Sequence, residues 1–344
     1  MAGTAHAGNS TRIHWGGAAS NTDIHLEVYK NQVDTAFQYN ALFTHLSTQR
    51  TTVPNSNNYR IDRMGTSTVK SRTSGVALED QRVANDKLNI IVEVVLYIRN
   101  PIDYQDDWTA PDRLTEMGQN NGSEFASVFD EAHIIQLQKA RDWKAPAHLK
   151  PAFNDGIEVA VALTKTATTQ AQLEANAIAL EQAHKKAVET LITRKVPLSG
   201  MVTLVTPAVF SELTHHPKLL NADFASNNGD FADRRVARVN GINIVECVEF
   251  PTQVGTSLAG GHHQLSTAAN SFGFDATAND LKGEMIVFDK TKTLVTVEAK
   301  PFTSRIWDDQ REFNNVLDCY AMYNIGLRRP DTAAVTKFTF TTKS

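Results

Sequence analysis

From Lys87 to Ile98 the chain alternates strongly, with Leu88, Ile90, Val92, Val94, Leu96 and Ile98 on one side of an extended backbone. Asn89, Ile91, Glu93, Val95 and Tyr97 occupy the other side. A period of two held that long predicts one strand with a buried face. After a break at Asn100-Pro101, Thr109 and Asp112 flank Pro111 in a capping-type start. Apolar residues then recur at helical spacing, at Leu114, Met117, Phe125, Val128, Ala132 and Ile135. This predicts a helix of about thirty residues, ~45 Å long at 1.5 Å per residue. A helix of that length needs more than one body to lie against.

Around this pair the pattern changes character several times. Residues 1–25 are small and polar with no sustained period, which predicts an arm that orders only against a partner. Apolar residues return over 26–48, expected to be partly helical. The polar stretch 50–86 holds short extended pieces, YRIDRMG and TSTVKS, around Gly65 and Gly75, and predicts a two-stranded loop projecting from the body. Beyond Pro146, Pro151 and Gly156, Thr169 with Gln172 opens a second helix. Its apolar face is Leu173, Ala177, Leu180, Ala187 and Leu191, and His184 falls on the same face. A strand MVTLVT, a short helix from Pro207 and a hairpin RVARVNGINIVECV turning at Asn240-Gly241 follow. Residues 252–283 read as loop. Strands EMIVF, TLVTVEA and FTSRIW, a mixed stretch from Gln310 to Tyr323, and an alternating tail AVTKFTFTT close the chain. No repeat at a fixed period occurs. Strand and long helix, then an α/β insertion, then strands again make an α+β protein whose sheet is completed by the C-terminal third.

Residues that would carry chemistry are sparse. Neither GxGxxG nor a phosphate-loop GxxxxGK[ST] is present, and there is no GxSxG elbow. The histidine pairs His215-His216 and His262-His263 are adjacent, so their side chains do not converge as those of HExxH do. The two cysteines, Cys247 and Cys319, are too far apart in sequence for a paired-Cys metal site; Cys247 reads as a small apolar core residue. Asp103, Asp106 and Asp107 could bind a cation, but EF-hand spacing is absent and a solvated or partner-facing patch is the simpler reading. No catalytic, cofactor-binding or metal site is expected. A formal net charge of −4 argues against a dedicated nucleic-acid binder, which needs a dense basic surface. The longest apolar run, LNIIVEVVLYI, is interrupted by Glu93 and is about half the ~20 residues that span a bilayer, and the first thirty residues lack the features of a signal peptide. No membrane partner is expected.

Six phrases in a fixed order carry a family resemblance: SRTSGVAL in the polar loop, the long strand running into the long helix, LVTPAVFSEL, RRVARVNGINIVECVEFP, EMIVFDKTKTLVTVEAKPF and DCYAMYNIGLRRPDTAAV. Over about residues 45–340 the chain resembles tailed-phage major capsid proteins of the Hong Kong 97-type fold, and among them those of T-seven-like short-tailed phages (podoviruses). The resemblance implies an N-terminal arm (1–50), an extended loop (51–86), a peripheral domain with a long spine helix (87–150 and 284–344) and an axial domain (151–283). It implies self-assembly into hexamers and pentamers that form an icosahedral head shell around double-stranded DNA, held without sequence specificity. It further implies a separate scaffolding protein, a portal protein at one vertex, a possible decoration protein, and a place in the virion after assembly in the host cytoplasm. An encapsulin-like compartment shell is the rival within the fold. The rival from another class is a soluble metal-dependent hydrolase, which nothing in the residues favours.

A shell of many copies needs contacts that are weak singly and strong together, and reaching loops supply them. Here the loop is basic, with Arg50, Arg60, Arg63, Lys70 and Arg72 against Asp62 between 50 and 72. The approach to the long helix is acidic, with Asp103, Asp106, Asp107, Asp112 and Glu116 against Arg113. The expectation is that the loop of one subunit lies across this acidic approach on its neighbour, charge setting register more than affinity. Two independent solvated patches would look the same in sequence.

Overall fold

The structure is a computed structural model and describes residues 32–341 apart from 34, 38–39, 53–55, 105–112, 151, 165–166, 168, 218–237, 256–261 and 268–272. In chain order it contains helix α1 (Phe43–Leu46), strands β1 (Thr48–Thr51), β2 (Asn58–Met64), β3 (Asn85–Ile91) and β4 (Leu96–Asp103), and helix α2 (Arg113–Lys139). Strand β5 (Ile157–Thr164), helix α3 (Gln170–Thr193), strand β6 (Met201–Val205) and helix α4 (Pro207–Leu213) follow. Strands β7 (Arg238–Val239), β8 (Ile242–Glu246), β9 (Met285–Asp289), β10 (Leu294–Asp309), β11 (Asn314–Leu327) and β12 (Ala333–Thr341) complete it. The mixture of helix and sheet is the α+β class expected. The chain divides into two compact units, one of residues 1–44, 92–130 and 298–324, the other of 45–91, 131–297 and 325–344.

The second unit is built on a six-stranded sheet of order β5-β12-β9-β6-β8-β7. Strands β5 and β12, and β6 and β8, run parallel, whereas β9 lies antiparallel between β12 and β6. All five residues of β6 and of β9 are buried, which is why MVTLV and MIVFD are nearly continuous apolar runs. Helix α3 covers the sheet with Leu180, Ala187 and Leu191, packed with Ile157, Met285 and Phe338. Its predicted apolar face is therefore the buried one, with Leu173 half-buried. The helix begins after Thr169, but the Thr169 side chain makes no cap bond; its backbone carbonyl accepts from Gln172 and Leu173 instead. Helix α4 has the conventional start, Thr206 accepting from Val209 N with Pro207 at the first position.

The hairpin turn is as read. Asn240 (φ 51°) and Gly241 (φ 81°) take the two left-handed positions that a two-residue turn of this kind needs, between β7 and β8. The turn is also tied to α3. Asn240 Nδ2 donates to His184 Nδ1 at 3.1 Å, so the ring carries its proton on Nε2 and donates to Thr203 Oγ1 at 2.8 Å. Burial without a counter-charge lowers the His184 pKa to about 4. An unfolded histidine titrates near 6.5, so the stability held by neutral His184 is present above that pH and is lost as pH falls toward 4. Urea unfolding of unassembled subunits is expected to show about 2 kcal/mol less stability at pH 5 than at pH 7 from this group. Glu131, Glu284 and Glu298 work the other way, because burial raises their pKa values and acid favours the fold that holds them. The His184 share is therefore read as the part of the pH dependence that His184→Gln removes; an unchanged profile in that variant would show that the ring titrates normally.

In the first unit β10, β11 and β4 are neighbours, with β11 and β4 antiparallel from Asn314 opposite Asp103 to Ala321 opposite Leu96. Asp318 on β11 is nearly inaccessible and receives Arg99 Nε at 2.8 Å, Arg305 Nε at 3.1 Å and Trp307 Nε1 at 2.9 Å. Burial alone would raise its pKa, but these donors outweigh it and hold the carboxyl below the usual range. Phe125, Phe129 and Tyr323 pack with Phe37 and Phe302 in edge and stacked contacts. Asp130 accepts from Leu42 N at 2.8 Å and Phe43 N at 3.0 Å, satisfying the open donors at the start of α1.

Three expectations are corrected. The single strand over Lys87–Ile98 is two, because the chain leaves the ribbon with β2 after Ile91 and joins β11 from Leu96. Alternate burial nevertheless continues across the gap, with Ile90, Val92 and Leu96 buried and Leu88, Val94 and Ile98 half-buried. TLVTVEA and FTSRIW are one sixteen-residue strand. Proline's fixed φ is compatible with extended backbone, so Pro301 does not end it. The mixed stretch resolves into a turn at Phe313 (φ 56°) and the fourteen-residue β11. The long helix is present with 27 residues, but its capping residues Thr109 and Asp112, like the arm 1–25, lie outside the described residues.

Candidate functional site

Strands β2 and β3 form a two-stranded antiparallel ribbon, paired from Asn58 opposite Ile91 to Met64 opposite Asn85. TSTVKS, expected to be extended, contains no strand; Gly65 N donates to Ala84 O at 2.8 Å and the chain then continues as a loop. Local bonds shape this loop. Thr68 N donates to Gln81 Oε1 at 3.0 Å, and Val76 N to Thr73 O at 3.3 Å across a turn at Gly75 (φ 90°). Val69, Leu78 and Val76 on it are 102%, 78% and 58% exposed. The described residues thus leave these three apolar side chains largely uncovered.

The five basic residues differ in their circumstances. Arg50 is exposed at β1. Arg60 pairs with Asp62 across 2.8 Å and Lys70 with Glu79 across 2.8 Å, all four well exposed. Such pairs are worth ~0–1 kcal/mol and can be exchanged for others. Arg72 donates to Val76 O. Arg63 is different, being committed to its own chain. Its Nη2 donates to Leu327 O at 2.6 Å and its Nε to Arg328 O at 3.3 Å, and its guanidinium lies 5.6 Å and 6.0 Å from the rings of Trp143 and Phe153. Burial lowers its pKa, which the charges of Asp86 and Asp331 do not fully offset. In the sequence Arg63 is indistinguishable from the others, because charge counts cannot separate a clamped arginine from a solvated one.

Of the acidic set, Asp103 ends β4 on its exposed side, opposite Asn314, and Glu116 is exposed in the first turn of α2. Glu116 lines a cavity of about 380 Å³ with Asn100, Met117, Asn120 and Asn121. Asp106, Asp107 and Asp112 lie outside the described residues. Among the described residues no three His, Cys, Asp or Glu side chains are grouped to hold a metal ion. His262 Nδ1 stands 3.0 Å from Asp275, His263 Nδ1 accepts from Leu265 N, and His216 is buried. Cys247 and Cys319 are both buried, and neither is in a disulfide. No described helix is long and apolar enough to cross a membrane.

A cavity of about 280 Å³ sits at the base of the ribbon, bounded by Ile61 to Thr66, Ala152, Phe153, Arg328 and Arg329. Arg329 is held by Asp331 at 3.2 Å, donates to Ala152 O at 2.8 Å and lies 4.6 Å from the Phe153 ring. Arg328 and Arg329 come from the phrase GLRRP, in which nothing local to the sequence marks a cavity wall.

Several solved structures are similar to the chain. The asymmetric unit of the bacteriophage PhiM1 mature capsid matches at 42% identity over 96% of this chain and 97% of that one, with a TM-score of 0.75. The capsid of cyanophage P-SCSP1u matches at 19% identity over 88% and 89%, with a TM-score of 0.72. A virus-like particle from Pyrococcus furiosus matches at 11% identity over 91% and 99%, with a TM-score of 0.51. No family model and no curated protein matches the chain.

Proposed function

Because the chain belongs to the bacteriophage capsid-protein family, we propose that it is the major capsid protein of a tailed phage, assembling as hexamers and pentamers into the icosahedral head shell around double-stranded DNA. Its architecture is the Hong Kong 97-type capsid fold. The observation that carries the proposal furthest is the loop between β2 and β3, whose Val69, Val76 and Leu78 its own chain leaves in water. Burying an aliphatic side chain of this kind contributes ~1.5–3 kcal/mol, so a loop laid on a neighbour gives each contact moderate strength and a closed shell a large total.

The division into arm (1–50), loop (51–86), peripheral domain (87–150 and 284–344) and axial domain (151–283) belongs to the same proposal. So do a separate scaffolding protein, a portal at one vertex, a possible decoration protein, assembly in the host cytoplasm and kinship with T-seven-like podoviruses. Charge is proposed to set register between copies, Arg50, Arg60, Lys70 and Arg72 facing the acidic approach of Asp103, Asp106, Asp107, Asp112 and Glu116. Arg63 is better assigned to holding the ribbon's base, given its bonds to Leu327 and Arg328.

The test is negative-stain electron microscopy of the chain expressed with and without a scaffolding protein, beside Arg60→Glu/Arg72→Glu. Shells, tubes or five- and six-membered rings are expected from wild type, with slower and less salt-sensitive assembly from the double variant. Uniform small particles from wild type under both conditions would sink the capsid reading and revive a soluble enzyme. Unchanged speed and salt dependence in the variant would remove the charge-register idea. An encapsulin-like compartment shares the fold through the Pyrococcus furiosus particle, but 11% identity carries fold alone.

A further inference from the structure

We propose that the cavity at the base of the ribbon is an oxyanion site, occupied in the assembled state by a carboxylate side chain from a second copy of this chain. The inference rests on the assembly reading above. Charge in the cavity is unbalanced. Three carboxylates stand near its arginines: Asp62 is taken by Arg60 at 2.8 Å, Asp331 by Arg329 at 3.2 Å, and Asp86, opposite Arg63 on the ribbon, acts on Arg63 through its charge without a direct ion pair. Among the described residues the Arg63 side chain donates to the carbonyls of Leu327 and Arg328, and Arg328 is exposed with no hydrogen bond or ion pair from its guanidinium. Two guanidinium groups therefore line a half-enclosed space of about 280 Å³ with no direct ion pair among the described residues, and Arg328 has no carboxylate to match it. A half-buried cation in this state gains from a charge-assisted bond, and the planar fork of arginine matches a carboxylate's two oxygens.

The walls favour a side chain over a bare, strongly hydrated ion. Ile61 and Phe153 are apolar, and Met64 at the rim is 64% exposed, so an alkyl stem entering the cavity covers them while its carboxylate meets the arginines. Acidic residues outnumber basic ones, 38 against 34, so copies of the chain can supply the group. Since Arg63 is clamped across the base of the ribbon, filling the cavity would also fix the direction in which the loop leaves the body.

Arg328 is the residue to change, because Arg63 and Arg329 have structural bonds that Arg328 lacks. Unassembled wild type, Arg328→Gln and Arg328→Lys are melted with and without sodium phosphate, using sodium chloride at equal ionic strength as the blank. Phosphate is expected to raise the melting temperature of wild type and of Arg328→Lys, and to raise that of Arg328→Gln much less. An equal shift in all three would overturn the oxyanion site. Shell formation is then followed by light scattering. Phosphate should slow wild type several-fold by competing with the carboxylate, while Arg328→Gln assembles slowly without further slowing by phosphate. If phosphate leaves the wild-type rate unchanged or speeds it, the occupant is a free anion and the second-copy source is overturned. Wild type that binds phosphate but never forms shells would defeat the assembly reading and the second-copy source, leaving the cavity as an anion site.

Discussion

Asp280→Ala is expected to destabilise the unassembled subunit by about 3–5 kcal/mol, because it leaves a buried guanidinium with part of its compensation removed. Asp280 and Arg141 are each 1% exposed and meet at 3.0 Å, and Lys139 Nζ stands 3.5 Å from the same carboxylate. The carboxylate also accepts from Thr277 N and Oγ1, both at 2.8 Å, and so shapes the turn that precedes β9. Burial pulls the Arg141 pKa down, but its bond to Asp142 and the charges of Asp142, Asp280 and Glu158 outweigh it and the net shift is upward. Asp142 and Glu158 remain in the variant, although both are substantially exposed, which places the loss toward the lower end of the range. Asp280→Asn keeps acceptors for Thr277 and should lose less. Urea denaturation measures both; a loss under about 1 kcal/mol in Asp280→Ala would mean that the exposed carboxylates suffice.

Gly156→Ala is the second large effect expected, at or above the upper end of the ~1–3 kcal/mol usual for overpacking. A Cβ at Gly156 would overlap the carbonyl oxygens of Ala140 and Arg141, where the chain leaves α2 through a 3-10 turn. Both obstacles are backbone, and Gly156 N is fixed by its bond to Trp143 O at 2.9 Å, so neither side can yield without moving the end of the helix. Gly326→Ala is the informative comparison. There the new Cβ meets the Ile90 side chain, which can change rotamer, and a smaller loss is expected. Similar melting temperatures for wild type and Gly156→Ala would show that this junction is looser than its geometry implies.

Much of the fold was legible where a segment's surroundings are uniform along its length. Helix α3 turns one face inward along its whole length, onto the sheet and α4, so its 3.6-residue period matches its burial, and Asn240-Gly241 announced its turn because few other residues accept two left-handed conformations. Strand β11 was illegible for the opposite reason. Val316, Leu317, Asp318 and Cys319 are buried in succession, and the buried Asp318 is a polar residue that three donors on other strands make acceptable. No period survives that, and the compensating partners lie elsewhere in sequence. The split of Lys87–Ile98 was hidden too, since alternation reports which face is buried and not which strand is the neighbour.

The same division runs through the functional reading. Local order determined the family, the ordered phrases sufficing for the capsid resemblance, and it determined that the loop is basic and the helix approach acidic. Tertiary structure alone decided the surroundings of each described charge. Arg60 and Arg63 are three residues apart on one strand, yet Arg60 is exposed beside Asp62 and Arg63 reaches across the ribbon's base to Leu327 and Arg328. Sequence specifies the charge a side chain carries, but the desolvation and partners that set the energy of Arg63 come from residues as distant as Trp143, Phe153 and Leu327, brought near only by folding.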